Sequence, residues 1–265
     1  MGRLMKKKYN EFYFTDDEII YPDSEYWDAY ENNKISAIKK YDGKMYCPMC
    51  LKAPLTIANG IERKYFKVVN SDMGKHDEGC AYLLEKATKK EINQFYGEVD
   101  KDDIKNRLTL CMNKMLKKSI HNTEMNNIIE SLNKDSCSDM FVIENSKKEK
   151  KYLPNINLYS RSIKENISIL KIYYGQCKIY VTSFSEKESK EVKRYYLNIL
   201  NRNTLFKICS VSLSPTVYKY IGINFSDTKE NAKEYFLCFV AEMNLKNNYL
   251  NCSIGDSRRT LFEEI

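Results

Sequence analysis

Tyr46-Cys47-Pro48-Met49-Cys50 is answered, 25 residues further on, by His76-Asp77-Glu78-Gly79-Cys80. One pair has the form Cys-x2-Cys and the other His-x3-Cys. Each short spacing can set two soft donors on one turn, and four thiolate or imidazole donors suit a tetrahedral Zn²⁺. Cys47, Cys50, His76 and Cys80 are therefore expected to bind one zinc ion. With four protein ligands and no activating carboxylate at motif spacing, the site reads as closed and structural rather than catalytic. The chain has only two histidines, so one lying four residues from a cysteine stands out against chance clustering.

Working outward, Leu55-Thr56-Ile57 and Tyr65-Phe66-Lys67-Val68-Val69 flank Asn59-Gly60, a hairpin signature that hangs the two ligand pairs on a small antiparallel sheet. Upstream, Ile35 to Tyr46 reads as short strand-like pieces around the turn dipeptide Asp42-Gly43. Residues 1–36 begin basic and turn acidic among Tyr21, Tyr26, Trp27 and Tyr30. They read as an N-terminal arm packed along the zinc module.

With Tyr46, Cys47, Cys50, Gly60, Arg63-Lys64-Tyr65-Phe66, His76 and Cys80 in this order, residues 37–85 resemble the zinc module that opens CoiA-type competence proteins and related uncharacterised bacterial proteins. Members of that family often carry His-Phe-x-His where this chain has Tyr65-Phe66-Lys67-Val68, which leaves His76 as the histidine ligand. The resemblance implies a bacterial protein of DNA processing, and in that family a nuclease-like domain follows. Its carboxylate motif is not found here. Asp100, Asp102 and Asp103 read as favourable charge at a helix start, and Glu188-Ser189-Lys190 lies in a charged run.

After Cys80 the apolar period changes. Leu84, Ala87, Thr88, Ile92 and Phe95 share one helical face; Ile104, Leu108, Cys111, Met112, Met115 and Leu116 share another. Thr123 caps a third expected helix, striped by Met125, Ile128, Ile129 and Leu132. The run Lys147-Lys148-Glu149-Lys150-Lys151 marks a basic linker at 144–154. From Ile167 onward the pattern is β-rich, with strands expected at 167–174, 177–182, 194–200, 205–213, 217–225, 235–242 and 249–254, and a short helix at 228–233. Gly175 inside the first β run suggests a bulge of the kind that curves a long strand around a small barrel. The expected fold class is thus α+β: zinc module plus helices at 37–143, then a mainly antiparallel, OB-like barrel at 155–265.

Lys and Arg number 43 against 36 Asp and Glu, a net charge of +7 that suits a polyanionic partner. Of nine cysteines, three belong to the ligand set. The others, Cys111, Cys137, Cys177, Cys209, Cys238 and Cys252, sit mostly in apolar stretches, where thiols pack as small hydrophobes. No secretory apolar region follows the first residues, so a reducing, cytoplasmic location without membrane attachment is expected. The late strands interleave tyrosine with Lys or Arg, the pairing of stacking rings and cations that single-stranded nucleic acid needs. Lys171, Lys178, Arg194 and Lys219 are expected on phosphates, with Tyr174, Tyr180 and Tyr220 stacking. Single-stranded DNA is the favoured partner. The alternatives are a protein-interaction adaptor without nucleic acid, or a metal-dependent nuclease.

Overall fold

The computed structural model describes residues 9–59, 64–119, 140–186 and 191–265. Gly60 and Arg63, the helix expected from Thr123, Cys137 and the Glu188-Ser189-Lys190 group lie outside the described residues. The chain divides into two compact units. The first comprises Met1–Lys86, Asn122–Tyr152 and Tyr159–Ile163; the second comprises Ala87–His121, Leu153–Leu158 and Lys164–Ile265.

In the first unit, β1 (Glu11–Phe14) pairs antiparallel with β2 (Ile19–Pro22) and with β3 (Met45–Tyr46), giving the order β2-β1-β3. The stretch expected as an arm therefore contains two strands and α1 (Asp23–Asn32), whose first turn carries Asp23 and Glu25 where the helix dipole favours acids. Helix α2 (Lys34–Tyr41) replaces the strand-like pieces read from the sequence. The Asn33 side chain caps it by accepting from Ser36 N at 3.0 Å, and Ala37 and Tyr41, four apart, share its buried face. Gly43, at φ 74°, then turns the chain into β3.

The hairpin read from the sequence forms as β4 (Leu55–Asn59) and β5 (Lys64–Val68). Phe66 projects from it into an aromatic core, stacked on Trp27 with ring centroids 5.5 Å apart and edge-on to Phe12 and Tyr26. A second hairpin, β6 (Val142–Glu144) with β7 (Lys150–Tyr152), occupies much of the stretch expected as a linker, and Tyr152 is buried. Arg161 ties residues 159–163 to this unit. Its backbone N–H donates to Asp23 Oδ1 at 3.0 Å, and its guanidinium forks onto Glu31 at 2.6 and 2.8 Å.

The second unit opens with α3 (Lys89–Glu98), started by a capping box in which Thr88 and Glu91 satisfy one another's backbone N–H groups. Helix α4 (Lys101–Ser119) follows, and Asp102 N donates to Asp100 Oδ1 at its start. The remainder is one large sheet. It contains β8 (Asn155–Asn157), β9 (Lys171–Ser185), β10 (Val192–Leu200), β11 (Lys207–Leu213), β12 (Lys233–Ala241), β13 (Asn244–Lys246), β14 (Tyr249–Ile254) and β15 (Thr260–Glu264). The order is β13-β14-β11-β10-β9-β12-β15, with β8 beside the first half of β9. All pairings are antiparallel except β11 with β14 and β8 with β9.

The expected barrel does not close among the described residues. The edge of β12 that closure would use bonds to β15 along Tyr235–Phe239, and that of β14 bonds to β13. Both sets of ladder groups are already satisfied, so the sheet stays open. The strand expected at 217–225 is instead helix α5 (Pro215–Ile221). Ser214 caps it through Val217 N at 3.2 Å, Pro215 occupies its first turn, and Gly222 ends it in the left-handed conformation at φ 71°. Residues 228–232, expected as a short helix, form bends and turns.

Gly175 is not a bulge. The β9–β12 register runs unbroken from Lys171↔Ala241 to Ile179↔Lys233. The glycine is needed because a Cβ there would lie 3.2 Å from Leu158 Cβ. No helix among the described residues is long and apolar enough to cross a membrane.

Candidate metal centre and the open sheet face

Strand β3 delivers Cys47, and a tight turn follows it. Cys47 N donates to Ala53 O at 2.8 Å, and Leu51 N donates back to Cys47 O at 2.9 Å. Closing that turn places Leu51 at φ 59°, a left-handed backbone that costs a bulky side chain strain of order 1–3 kcal/mol. On the other side, His76 follows the 3-10 turn Asn70–Lys75, and Cys80 precedes the 3-10 turn Ala81–Leu83. Lys52 and Asp77, next to the ligands Cys50 and His76, pair at 2.6 Å between the two turns.

The four donor atoms of Cys47, Cys50, His76 and Cys80 lie within 4.8 Å of one another. Cys47 Sγ and Cys80 Sγ are 3.8 Å apart, and Cys50 Sγ is 3.3 Å from His76 Nδ1. A tetrahedral ion with Zn–S bonds of about 2.3 Å separates its sulfurs by about 3.8 Å. The donor set and its spacing thus fit zinc. Cys47, His76 and Cys80 are buried and Cys50 is partly so; four converging protein donors match the closed ligand set of a structural rather than a catalytic zinc site.

Charge is distributed unevenly over the three thiols. Burial pushes Cys47 far above the ordinary thiol range. Sulfur hydrogen bonds from Cys47 and Cys80 hold Cys50 far below it. Cys80 is drawn down by its bond with Cys47 but raised further by Cys50 and by burial, to about 12.

Tyr9 is a member of this site that the sequence reading missed. Its hydroxyl lies 3.2 Å from His76 Nε2, buried, and its ring stacks on Tyr82 at 4.7 Å. With Nδ1 facing the sulfurs, an ion bound there would leave the imidazole proton on Nε2 to donate to the Tyr9 oxygen, a contact that would orient the ring. Burial, reinforced by the nearby thiols, raises the Tyr9 phenol well above its usual range and keeps it neutral. No spacing rule could connect residue 9 with residue 76.

Side-chain alternation splits the second unit's sheet into two faces. Ile179, Val181, Leu197, Ile199, Cys209, Val211, Leu250 and Cys252 are buried on one. On the other, two cross-strand rows run Tyr180–Asn198–Ser210–Asn251 and Thr182–Tyr196–Ser212–Ser253. Lys178, Tyr180 and Arg194, three of the expected nucleic-acid contacts, share the parity of this polar face.

The others do not join them. Lys171 is 5% exposed, with Nζ donating to Glu165 O at 2.6 Å. Tyr174 has the right parity but is 1% exposed, with Lys114 of α4 lying 6.0 Å from its ring centroid. Lys219 and Tyr220 stand on α5, whose Tyr218 stacks at 4.0 Å on Tyr195, a side chain of the opposite parity. The alternation rule found the strands and itself sets Lys171 on the opposite face, whereas burial beside α4 and the helical state of 215–221 removed Tyr174, Lys219 and Tyr220. Tyr196, Lys207 and Tyr249 were not singled out from the sequence and belong on it.

Asp100, Asp102 and Asp103 serve α4: Asp100 accepts from the helix's first turn and Asp103 pairs with Arg107 at 3.1 Å. Among the described residues, Cys47, Cys50, His76 and Cys80 form the only group of three or more such donors that converges. Cys111, Cys177, Cys209, Cys238 and Cys252 are buried free thiols.

A scan against protein-family models finds no match, and searches of the curated proteins and of the solved structures find none either. What remains of the CoiA-type resemblance is the Cys3His cluster itself.

Proposed function

We propose that this protein binds single-stranded nucleic acid across the open polar face of its large sheet, and that a structural zinc ion organises its other unit. One observation carries the reading. Strands β9, β10, β11, β13 and β14 contain no aspartate or glutamate, while they hold Lys171, Lys178, Lys193, Arg194, Lys207 and Lys246. At the chain's overall acid content, that length of sequence would carry roughly five carboxylates. The rest of the sheet does carry them, with Glu234 on β12 and Glu263 and Glu264 on β15.

Of these cations Lys178, Arg194, Lys207 and Lys246 share the polar face; Glu234 of β12 stands across from Lys178, and tyrosines at 180, 196 and 249 stand among the cations. Backbone phosphates are drawn by the cations, and rings accept unstacked bases irrespective of sequence. The order of connections supports the same reading. Three strands meander from β9 to β11, helix α5 intervenes, β12 returns to the far edge of β9, and β14 then lies parallel to β11. We read that succession as an OB-type order of strands in an open sheet, and oligonucleotide-binding OB folds use the face of their second and third strands. The zinc site, with all four positions taken by protein, supports a scaffolding role for the metal.

The test is affinity for single-stranded and duplex oligonucleotides of equal length from about 50 to 200 mM salt, a range over which several phosphate contacts give a steep fall. Tighter binding to the single strand, lost in a Lys178→Glu/Arg194→Glu variant, is expected. No binding to either at the lowest salt overturns the reading.

A further inference from the structure

We propose that Lys207, Asn198 and Tyr249 form a single nucleotide subsite on this face, where the Lys207 ammonium takes a phosphate and the Tyr249 ring stacks a base. The inference rests on the nucleic-acid reading above and locates its principal contact.

Lys207 opens β11, and its side chain turns back over the sheet. Nζ donates to Asn198 Oδ1 at 2.7 Å and lies 6.0 Å from the centroid of Tyr249. Asn198 is 4% exposed and its amide is committed at both ends. Nδ2 donates to Thr182 Oγ1 at 3.2 Å and to Tyr196 O at 3.3 Å, while Oδ1 also accepts from Ser210 Oγ at 3.4 Å. A fully bonded, buried amide cannot swing, so the ammonium it receives is held in one place.

Other lysines of the sheet and its surroundings are neutralised where they stand: Lys233 by Glu264 at 2.7 Å, Lys193 by Glu191 at 3.1 Å. Lys207 instead has a neutral amide and the face of a ring. Burial accordingly draws its ammonium below the ordinary lysine range, the opposite of the shift at Lys233. A cation oriented beforehand, with no carboxylate paired to it among the described residues, gains most from an incoming phosphate, because little ordering remains to be done on binding.

Tyr249 is placed with similar firmness. Strands β13 and β14 are joined by Asn247 and Asn248 at φ 51° and 65°, the two-residue turn with both central residues left-handed that matches strand twist. That turn fixes Tyr249 at the start of β14, 54% exposed and directly across from Lys246. One ring, one oriented cation beneath it and a second cation beside it suit a base and two successive phosphates of one strand.

The experiment uses the full-length, zinc-loaded protein and a fluorescein-labelled oligothymidylate of about fifteen nucleotides, near the upper site size of such folds, with anisotropy measured at several salt concentrations. Lys207→Ala should weaken binding and flatten the log–log salt dependence by about 0.7, the share of one single-strand phosphate contact. Tyr249→Ala should weaken it about 5- to 150-fold without changing that slope. Asn198→Asp, which gives Lys207 an internal counter-ion, should reproduce the slope change of Lys207→Ala. Should that buried substitution unfold the sheet, the two exposed-residue variants decide. Lys193→Ala, already paired and of the other parity, is the control. If the unaltered protein binds but the Lys207 and Tyr249 variants match the control, the subsite is wrong and the broader face stands. Absence of binding by the unaltered protein removes both.

Discussion

The two units use sulfur in opposite ways. In the first, Cys47, Cys50 and Cys80 converge with His76 on a common centre; in the second, Cys111, Cys177, Cys209, Cys238 and Cys252 are buried as free thiols. The first has short strands, two small hairpins and an aromatic core around Phe66 and Trp27. The second has a long sheet whose β12 is buried on both faces from Tyr235 to Ala241. Burial of that extent stabilises the sheet without help, at about 25 cal/mol per Å² of apolar surface. Small units with short strands commonly depend on a metal or other cross-link for what their cores cannot supply. The contrast predicts that stability depends on metal in one unit and not in the other.

Removing the metal is the strongest way to break this comparison. Zinc binding to such four-ligand sites is worth of order 10 kcal/mol near neutral pH, comparable with the whole stability of a small domain. Cys47→Ser, or a strong chelator, should unfold the first unit and leave the sheet intact. Tyrosine and tryptophan signals separate the outcomes, since the chain's single tryptophan, Trp27, reports on the first unit. Purified protein without zinc, or a chelator effect spread equally over the sheet's amide-exchange protection, would refute the assignment.

A finer test concerns Tyr9. Losing the partner of a metal-ligating histidine typically costs 10- to 100-fold in metal affinity. Tyr9→Phe keeps the ring stacked on Tyr82 and removes only the hydroxyl. Zinc affinity by chelator competition should fall within that range, and the first unit should lose a matching ~1.4–2.7 kcal/mol of its zinc-dependent stability while the sheet unit is unchanged. An unchanged affinity would mean that Tyr9 packs without orienting His76.

What the sequence revealed and what it hid follow from the range of the interactions involved. The ligand pairs and the β4–β5 hairpin were legible because each is local: two donors on one turn, or two alternating runs about Asn59-Gly60. Strands β10, β11, β12 and β14 were legible for the same reason, and β9 as two pieces about Gly175. Tyr9 was hidden because its partner lies 67 positions away. Helix α5 was misread although Ser214, Pro215 and Gly222 spell a cap, a first-turn proline and a left-handed stop, because β-favouring Val217, Tyr218 and Tyr220 outweighed them. Tyr174 was placed on the wrong side of the burial boundary because strand alternation gives parity alone and α4 lies beside its ring, whereas Lys171 was grouped with Lys178 although the unbroken register gives it the opposite parity. The open sheet was unforeseeable from strand count, since closure failed through two additional edge partners, β13 and β15.

The smallest effect expected separates the units by acid. Zinc thiolates must be protonated to release their metal, so the first unit should be lost on mild acidification. The sheet unit has no such dependence, and its acid response includes Asp256. Burial raises that carboxyl, but hydrogen bonds from the Arg258 side chain and backbone and from Lys101 outweigh it, leaving Asp256 at about 2 against an ordinary 3.8. A depressed carboxylate contributes stability above its unfolded value, and that contribution is lost as pH falls from about 3.8 through 2. Asp256→Asn should therefore lower the sheet unit's stability slightly at neutral pH and leave it unchanged near pH 2. The side chain's pairs face solvent, which keeps the effect small. Following tryptophan fluorescence for the first unit and far-ultraviolet circular dichroism for the sheet through an acid titration should give two separate transitions, with zinc loss first. A single coincident transition would show that the two units stand or fall together, and the contrast between metal-held and core-held units would have to be abandoned.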